Sequence, residues 1–279
     1  MQLLKAKIPP TCEIILHGDS HEGNALTAYH ELDRLIEYIK SKKNCYWIHM
    51  GDEIEARTVD HPYYAPETTD LPVPLAQMER CRDRYKPIAK KCLAWMYGNH
   101  PRGVKNFGNL TEKLCKEIGA PYGSWSCKLQ LHSHKGDIAK LFLAHGYRRQ
   151  ITSNAKDYEQ RNANMQARLK LMLQGKASDC LVMAIGDTHK LIHVPPSKKL
   201  LVRDDGEKLI QEYLGLGCGT DSYIEPDRRI YLNTGSFLKT FKLGVDSYSE
   251  VAGYDPIEIG YCKLHVKNNK ITHAEVVNV

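Results

Sequence analysis

The chain has 279 residues, of which 42% are hydrophobic and 26% charged, enough apolar material for one large α/β domain or two small ones. There are no low-complexity tracts or internal repeats, and the 20 glycines and 13 prolines are spread as punctuation, which excludes disordered, collagen-like and coiled-coil classes. A formal charge of +6 is mildly basic and is compatible with a phosphate-bearing partner or with none.

The longest apolar runs, such as Leu181 to Ile185 and Leu141 to Ala144, fall far short of the roughly 18 residues of a membrane-spanning helix. A soluble protein without a membrane partner is therefore expected. The start, MQLLKAKIPP, has no long apolar core and no small-residue cleavage site, so no export is expected. Nine cysteines, scattered singly and forming no CxxC pair, argue against a disulfide framework or a zinc ribbon and for a reducing, cytoplasmic setting. Thirteen histidines are the more pointed feature, because imidazole is both the commonest metal ligand and the commonest general acid or base.

In chain order, Cys12 to His17 predicts a strand ending in Gly18-Asp19, and the spacing of Leu32, Leu35, Ile36 and Ile39 predicts a helix from about Ala25 to Lys40. The unit repeats. Cys45 to Met50 predicts a strand ending in Gly51-Asp52, followed after a Pro-rich loop by a helix over Leu75 to Lys91. A third strand, Cys92 to Tyr97, ends in Gly98-Asn99-His100, with a helix from about Asn106 to Ile118 behind it. Strands near Ser126 to Leu131 and Ile138 to Leu143 follow, the latter leading to Ala144-His145-Gly146, then a polar helix over about Ala155 to Leu173. Cys180 to Ile185 predicts a strand ending in Gly186-Asp187-Thr188-His189. Short β runs fill the rest: Leu191 to Val194, Leu200 to Arg203, Leu209 to Leu214, Arg229 to Asn233, Phe237 to Phe241, Gly260 to Val266 and Ile271 to Val277. No compositional boundary separates the halves, so a single domain over 1–279 is expected, with insertions near 56–74 and 196–228 rimming the strand ends.

Five strand ends thus present Asp19 and His21, Asp52, Asn99 and His100, His145, and Asp187 and His189. Each alone reads most simply as a turn, a cap or a satisfied polar residue. Delivered together at strand carboxyl ends, where α/β sheets bind ligands, they make a mixed Asp, His and Asn set suited to two transition-metal ions. Other features are weaker. Gly215 to Thr220 lacks the lysine and spacing of a phosphate loop, the tyrosines of His61-Pro62-Tyr63-Tyr64 and Tyr223 could stack a base but are more simply packing, and Cys12 and Cys180 read as small buried hydrophobes. Among the basic pairs, Arg148-Arg149 directly follow the His145 strand end and are best placed for a polyanionic substrate.

The ordered series Gly18-Asp19-Ser20-His21, Gly51-Asp52 with Glu55, Gly98-Asn99-His100, His145-Gly146 and Gly186-Asp187-Thr188-His189 resembles the motif series of the calcineurin-like metallophosphoesterases (D-x-H, G-D-x-x-D/E, G-N-H, H, G-H-x-H). Tyr85-Lys86-Pro87-Ile88, Arg102, Pro121-Tyr122-Gly123, Asn233 to Phe237, Ser247 to Glu250 and Gly253-Tyr254 extend the resemblance to the members found in phages and prophages, which would act in the host cytoplasm. The resemblance implies an α/β fold, a four-layer αββα sandwich of two mixed β-sheets flanked by helices. It also implies two divalent cations, Mn²⁺ first, with Mg²⁺, Fe²⁺, Zn²⁺ and Ni²⁺ as alternatives. Asp19, His21 and His189 would hold one cation, Asn99, His145 and Asp187 the other, and Asp52 would bridge them. A water activated by the cations would attack the phosphoester while His100 acts as general acid, and Arg102, Arg148 and Arg149 would contact the substrate.

Two departures from the pattern bear on these roles. Asp187 stands where the family usually has histidine, which favours harder ions such as Mn²⁺ or Mg²⁺ and weakens the second site. Pro101 stands where an acidic residue is common and cannot supply the hydrogen bond that would orient His100. The expected substrate is a phosphodiester, a nucleotide or nucleic acid. A phosphomonoesterase acting on nucleotides or proteins is the alternative, and an inactive nucleic-acid-binding or regulatory protein is the alternative of another class. A homodimer is compatible with the sequence.

Overall fold

The computed structural model describes residues 1–62, 64–147, 151–213, 219–220 and 222–279. The chain begins with β1 (Gln2–Lys7), β2 (Cys12–His17), α1 (Tyr29–Ser41), β3 (Cys45–His49), α2 (Pro74–Tyr85) and β4 (Cys92–Met96). It continues through α3 (Asn99–Gly103), α4 (Leu110–Ile118), β5 (Tyr122–Ser124), β6 (Ser126–Ser133), β7 (Gly136–Ala144) and α5 (Tyr158–Leu173). Next come β8 (Val182–Ile185), β9 (Leu191–Val194), β10 (Leu200–Asp204), β11 (Leu209–Tyr213), β12 (Gly219–Thr220) and β13 (Tyr223–Ile224). The chain closes with β14 (Ile230–Thr234), α6 (Tyr248–Val251), β15 (Gly260–Lys267) and β16 (Lys270–Asn278).

Two six-stranded mixed sheets carry the architecture, ordered β1-β6-β7-β8-β14-β9 and β16-β15-β2-β3-β4-β5. In the second, β2 to β5 run parallel and β15 is antiparallel to β2; in the first, β7, β8 and β14 run parallel. Alternation along each strand decides what covers it. Ile14, Leu16, Ile48 and Met50 meet Leu129, Leu141, Val182 and Leu232 in the layer between the sheets. The intervening Ile15 and Trp47 lie outside, under Leu32, Leu35, Ile36 and Ile39 of α1 and Met78 of α2. On the far side, Leu169 and Leu173 of α5 cover Phe142, Met183, Ile185 and Tyr231. Three apolar layers between four structural layers make the αββα sandwich. Each fully buried Leu or Ile side chain contributes about 1.5–3 kcal/mol. The four on α1 therefore hold a helix of 13 residues that would be marginal alone.

Several elements differ from the sequence expectation. The helix predicted from about Ala25 starts at Tyr29, because the preceding residues are tied to loops: Ala25 N donates to Thr68 O and Ala28 N to Phe237 O. The helix predicted through Lys91 stops at Tyr85 and continues as a 3-10 turn over Lys86–Lys91, where Pro87 removes a backbone donor. Phe237 to Phe241 form no strand beyond an isolated bridge between Leu238 and Thr27. Of the segment 196–228, residues 214–218 and 221 lie outside the described residues. β9 runs antiparallel to β14 and carries the chain away from His189, and Ile224 N donates to Ser178 O, ahead of the start of β8. The segment 56–74, in contrast, is tied to the loop after β2 through Thr68 and Asp70.

No helix among the described residues is long and apolar enough to cross a membrane. The eight cysteines among them are buried and unpaired, and burial pushes the thiols up, that of Cys12 to about 12.

Candidate metal centre

The carboxyl ends of β2, β3 and β4 in one sheet and of β7 and β8 in the other meet at one edge of the sandwich. Asp19, His21, Asp52 and His145 are there almost fully buried. The loops that carry them are bent sharply. Asp19, His21, Asp52, Asp187 and His189 all have φ between 47° and 66°, five of the nine non-glycine residues with positive φ among those described. That region costs an L-residue about 1–2 kcal/mol, and its concentration here is the pattern of a functional site. Gly98 is required by close approach, since a Cβ there would sit 2.0 Å from Asp52 Oδ1. Gly51 combines φ of 104° with a Cβ position 2.4 Å from His145 Nδ1.

Hydrogen bonds fix the imidazoles from behind. His21 Nδ1 donates to Glu55 Oε2 at 2.9 Å, His100 Nδ1 to the Glu55 carbonyl at 2.7 Å, and His145 Nδ1 to the Met50 carbonyl at 2.8 Å. With Nδ1 occupied, each ring turns Nε2 toward the carboxylates. His145 Nε2 lies 3.3 Å from Asp52 Oδ2, His100 Nε2 4.0 Å from the same atom, and His189 Nε2 3.4 Å from both Asp19 Oδ1 and His21 Nε2. Donor atoms of Asp19, His21 and His189 fall within 4.8 Å of one another, as do those of Asp19, Asp52 and His145, and those of His21, Asp52 and His100. Asn99 joins the ring. With its amide nitrogen turned inward it donates to Asp52 Oδ2 at 3.0 Å and Asp187 Oδ1 at 3.1 Å, and turned the other way its Oδ1 lies 2.6 Å from His145 Nε2.

The electrostatics demand positive charge. Burial would raise the Asp52 carboxyl, but His145 and His100 outweigh it and hold it far below the ordinary range. Burial opposes charge on His145, yet Asp52 beside it raises the imidazole well above its usual value. Burial pushes the Asp187 carboxyl up, and Asp19 and Asp52 add to this against His145. Asp19 Oδ1 is buried without a hydrogen-bond partner. An orphaned carboxylate oxygen among imidazole nitrogens and further carboxylates fits divalent cations by donor chemistry.

Asp19, His21, Asp52, Asn99, His100, His145 and His189 thus lie together at this edge, with Asp187 at the rim and 28% exposed. The doubt raised by Pro101 is answered by the Glu55 carbonyl, which orients His100 in place of the missing acidic side chain. Arg102 lies with its guanidinium over the Trp125 ring, 5.4 Å from the centroid, and Trp125 packs edge-on against His145. Arg148, Arg149, Tyr63 and Gly215 to Cys218 lie outside the described residues. Sequence reading missed three supports. Glu55 carries two of the imidazoles, Arg57 pairs with Glu55 Oε1 at 2.9 Å, and Ser236 Oγ donates to the Asp19 carbonyl at 3.0 Å. Glu55 stood in the motif series, but nothing in the sequence joins Ser236 to Asp19.

No protein-family model matches the chain, and no curated protein does. Among solved structures it is similar to Vps29 of Chaetomium thermophilum, at 11% identity over 96% of each chain with a TM-score of 0.37. It is also similar to the NAD nucleotidase NadN of Haemophilus influenzae, at 13% identity over 96% of this chain and 49% of that one, with a TM-score of 0.41. A third is a metallophosphoesterase of Sphaerobacter thermophilus, at 12% identity over 96% of this chain and 88% of that one, with a TM-score of 0.39. The phage and prophage subfamily finds no support among these neighbours. Likeness at this level says nothing about chemistry, which rests on the side chains at the strand ends.

Proposed function

We propose that the chain is a metal-dependent phosphoesterase of the calcineurin-like superfamily, acting on a phosphodiester of nucleotide type. The observation that carries this reading is the convergence of four imidazole Nε2 atoms on the buried carboxylates of Asp19 and Asp52. Asp19, His21 and His189 would hold one divalent cation, Asn99, His145 and Asp187 a second, with Asp52 between them. Oxygen and nitrogen donors of this mix suit Mn²⁺. Such a pair would lower the pKa of a shared water and neutralise charge on the phosphoryl oxygens.

The chain's own groups supply the rest. His100 Nδ1–H donates a hydrogen bond to the Glu55 carbonyl, so Nε2 would hold the proton that the leaving oxygen takes up. Glu55 Oε1 lies 3.8 Å from the same ring nitrogen. Burial would raise the Glu55 carboxyl, but His100, His21 and Arg57 keep it ionised, at about 2. Arg102, whose guanidinium lies over the Trp125 ring, would take a phosphoryl oxygen from the His145 side. The basic balance of +6 supports a polyanionic substrate and is the ground for preferring the diester.

Purified chain supplied with Mn²⁺ should hydrolyse bis(p-nitrophenyl) phosphate faster than p-nitrophenyl phosphate. The opposite order would make it a phosphomonoesterase, and hydrolysis of neither ester would overturn the enzyme reading in favour of a binding or regulatory role.

A further inference from the structure

We infer that Trp125 is a positioning residue for the second cation, holding the Asn99 turn and the His145 turn together where the chain passes from one sheet to the other. This rests on the two-cation reading above and adds the side chain that sets the geometry of one site of the pair. Trp125 is the one residue between β5 and β6. β5 is the edge strand of the sheet whose strand ends supply Asp19, Asp52 and Asn99, and β6 pairs with β7, the strand that leads to His145, in the other sheet. Ser124, just before the crossing, has φ of 60°, and its carbonyl accepts Tyr97 N at 2.8 Å. The crossing therefore starts against the end of β4, one residue before Gly98-Asn99-His100.

On the His145 side three contacts converge on two residues. Trp125 O accepts His145 N at 3.1 Å, the indole Nε1 donates to Gly146 O at 3.1 Å, and the ring meets that of His145 edge-on, with centroids 5.5 Å apart at 83°. On the other side the Arg102 guanidinium lies over the same indole, 5.4 Å from the centroid. Arg102 belongs to α3, the five-residue turn that opens on Asn99. A helix that short has almost no stability of its own and keeps its place through what it packs against. The half-buried indole supplies that support with a rigid plane: its face takes the cation and its N–H edge takes the carbonyl after His145. Both of these turns belong to the second cation, for which Asn99 and His145 are proposed ligands. Removing the side chain should therefore act on one site of the pair and spare the other, held by Asp19, His21 and His189.

Calorimetric titration of the metal-free chain with Mn²⁺ separates the two ions by affinity and involves no ester. In Trp125→Leu the weaker affinity should fall about tenfold while the tighter one stays at the parent value. Trp125→Phe keeps a ring against His145 and under Arg102 and loses only the N–H, so it should weaken the same site by about threefold and leave the other unchanged. The Phe variant carries the test alone if the Leu variant does not fold, as circular dichroism would show. A side chain that serves packing only would lower stability against urea and leave both affinities in place. That result, an equal loss at both sites, or a loss confined to the tighter site would overturn the assignment. A parent that binds fewer than two ions would overturn the two-cation reading and this assignment with it. Selective loss at the weaker site, in a chain whose parent hydrolyses no ester, would support the assignment and overturn the phosphoesterase reading alone.

Discussion

The carboxylate of Glu55 accepts the Nδ1 proton of His21 at 2.9 Å, with both side chains 4% exposed or less. A carboxylate behind a metal-facing imidazole fixes its tautomer and raises its basicity, and loss of such a partner costs about 10- to 100-fold in metal affinity or activity. Glu55→Gln keeps the shape while removing the charge. It should weaken Mn²⁺ binding by that factor in a calorimetric titration, and unchanged affinity would show that Glu55 serves packing only.

His100 Nε2 lies 4.0 Å from Asp52 Oδ2, and its ring also falls within a group that could hold a cation. The two roles separate by substitution. His100→Ala should lower turnover about 10²- to 10⁴-fold while bound Mn²⁺ stays at the parent level. Asp52→Ala should abolish both, with circular dichroism confirming the fold. Loss of metal from the His100 variant would make that residue a ligand.

On the proposed reading, Asp187, 28% exposed, would leave the second cation the weaker held of the pair. Asp187→His should raise affinity at the weaker site and shift preference toward Zn²⁺, as imidazole replaces carboxylate. Identical titration curves for parent and variant would show that position 187 does not ligate.

His17 offers a test of stability independent of substrate. Its ring is fully buried beside Trp47, His49, Tyr85 and Phe237, and neither nitrogen has a hydrogen-bond partner. Burial lowers its pKa to about 3, from 6.5 in the unfolded chain. A depressed folded value means that stability is present above pH 6.5 and drains away as pH falls toward 3, at about 1.4 kcal/mol per unit. Urea unfolding of parent and His17→Leu should therefore diverge by about 2 kcal/mol between pH 6.5 and 5, the parent losing more. Parallel acid limbs would contradict it.

Much of this was readable from sequence because the informative signals are local. Strands buried on both faces, such as Cys12–His17 and Cys92–Met96, appear as apolar runs, and each is followed by its polar strand-end motif. β1 was missed because it is an edge strand whose Leu3, Lys5 and Lys7 share an exposed face and whose inward face, Leu4 and Ala6, is short and only partly buried. α3 was missed because a five-residue turn opening on Asn99 has no periodicity. Glu55 was marked by its motif but its partners were not, and the support given by Ser236 depends on a contact spanning 217 positions that no local pattern encodes.

The central claim is that these strand ends form a two-cation site, and a Mn²⁺ titration of the metal-free chain tests it most directly. The account predicts two bound ions per chain, falling to none or one in Asp52→Ala, with ester hydrolysis rising as the second ion binds. A parent that binds no Mn²⁺, or one whose stoichiometry is unchanged by Asp52→Ala, would contradict it.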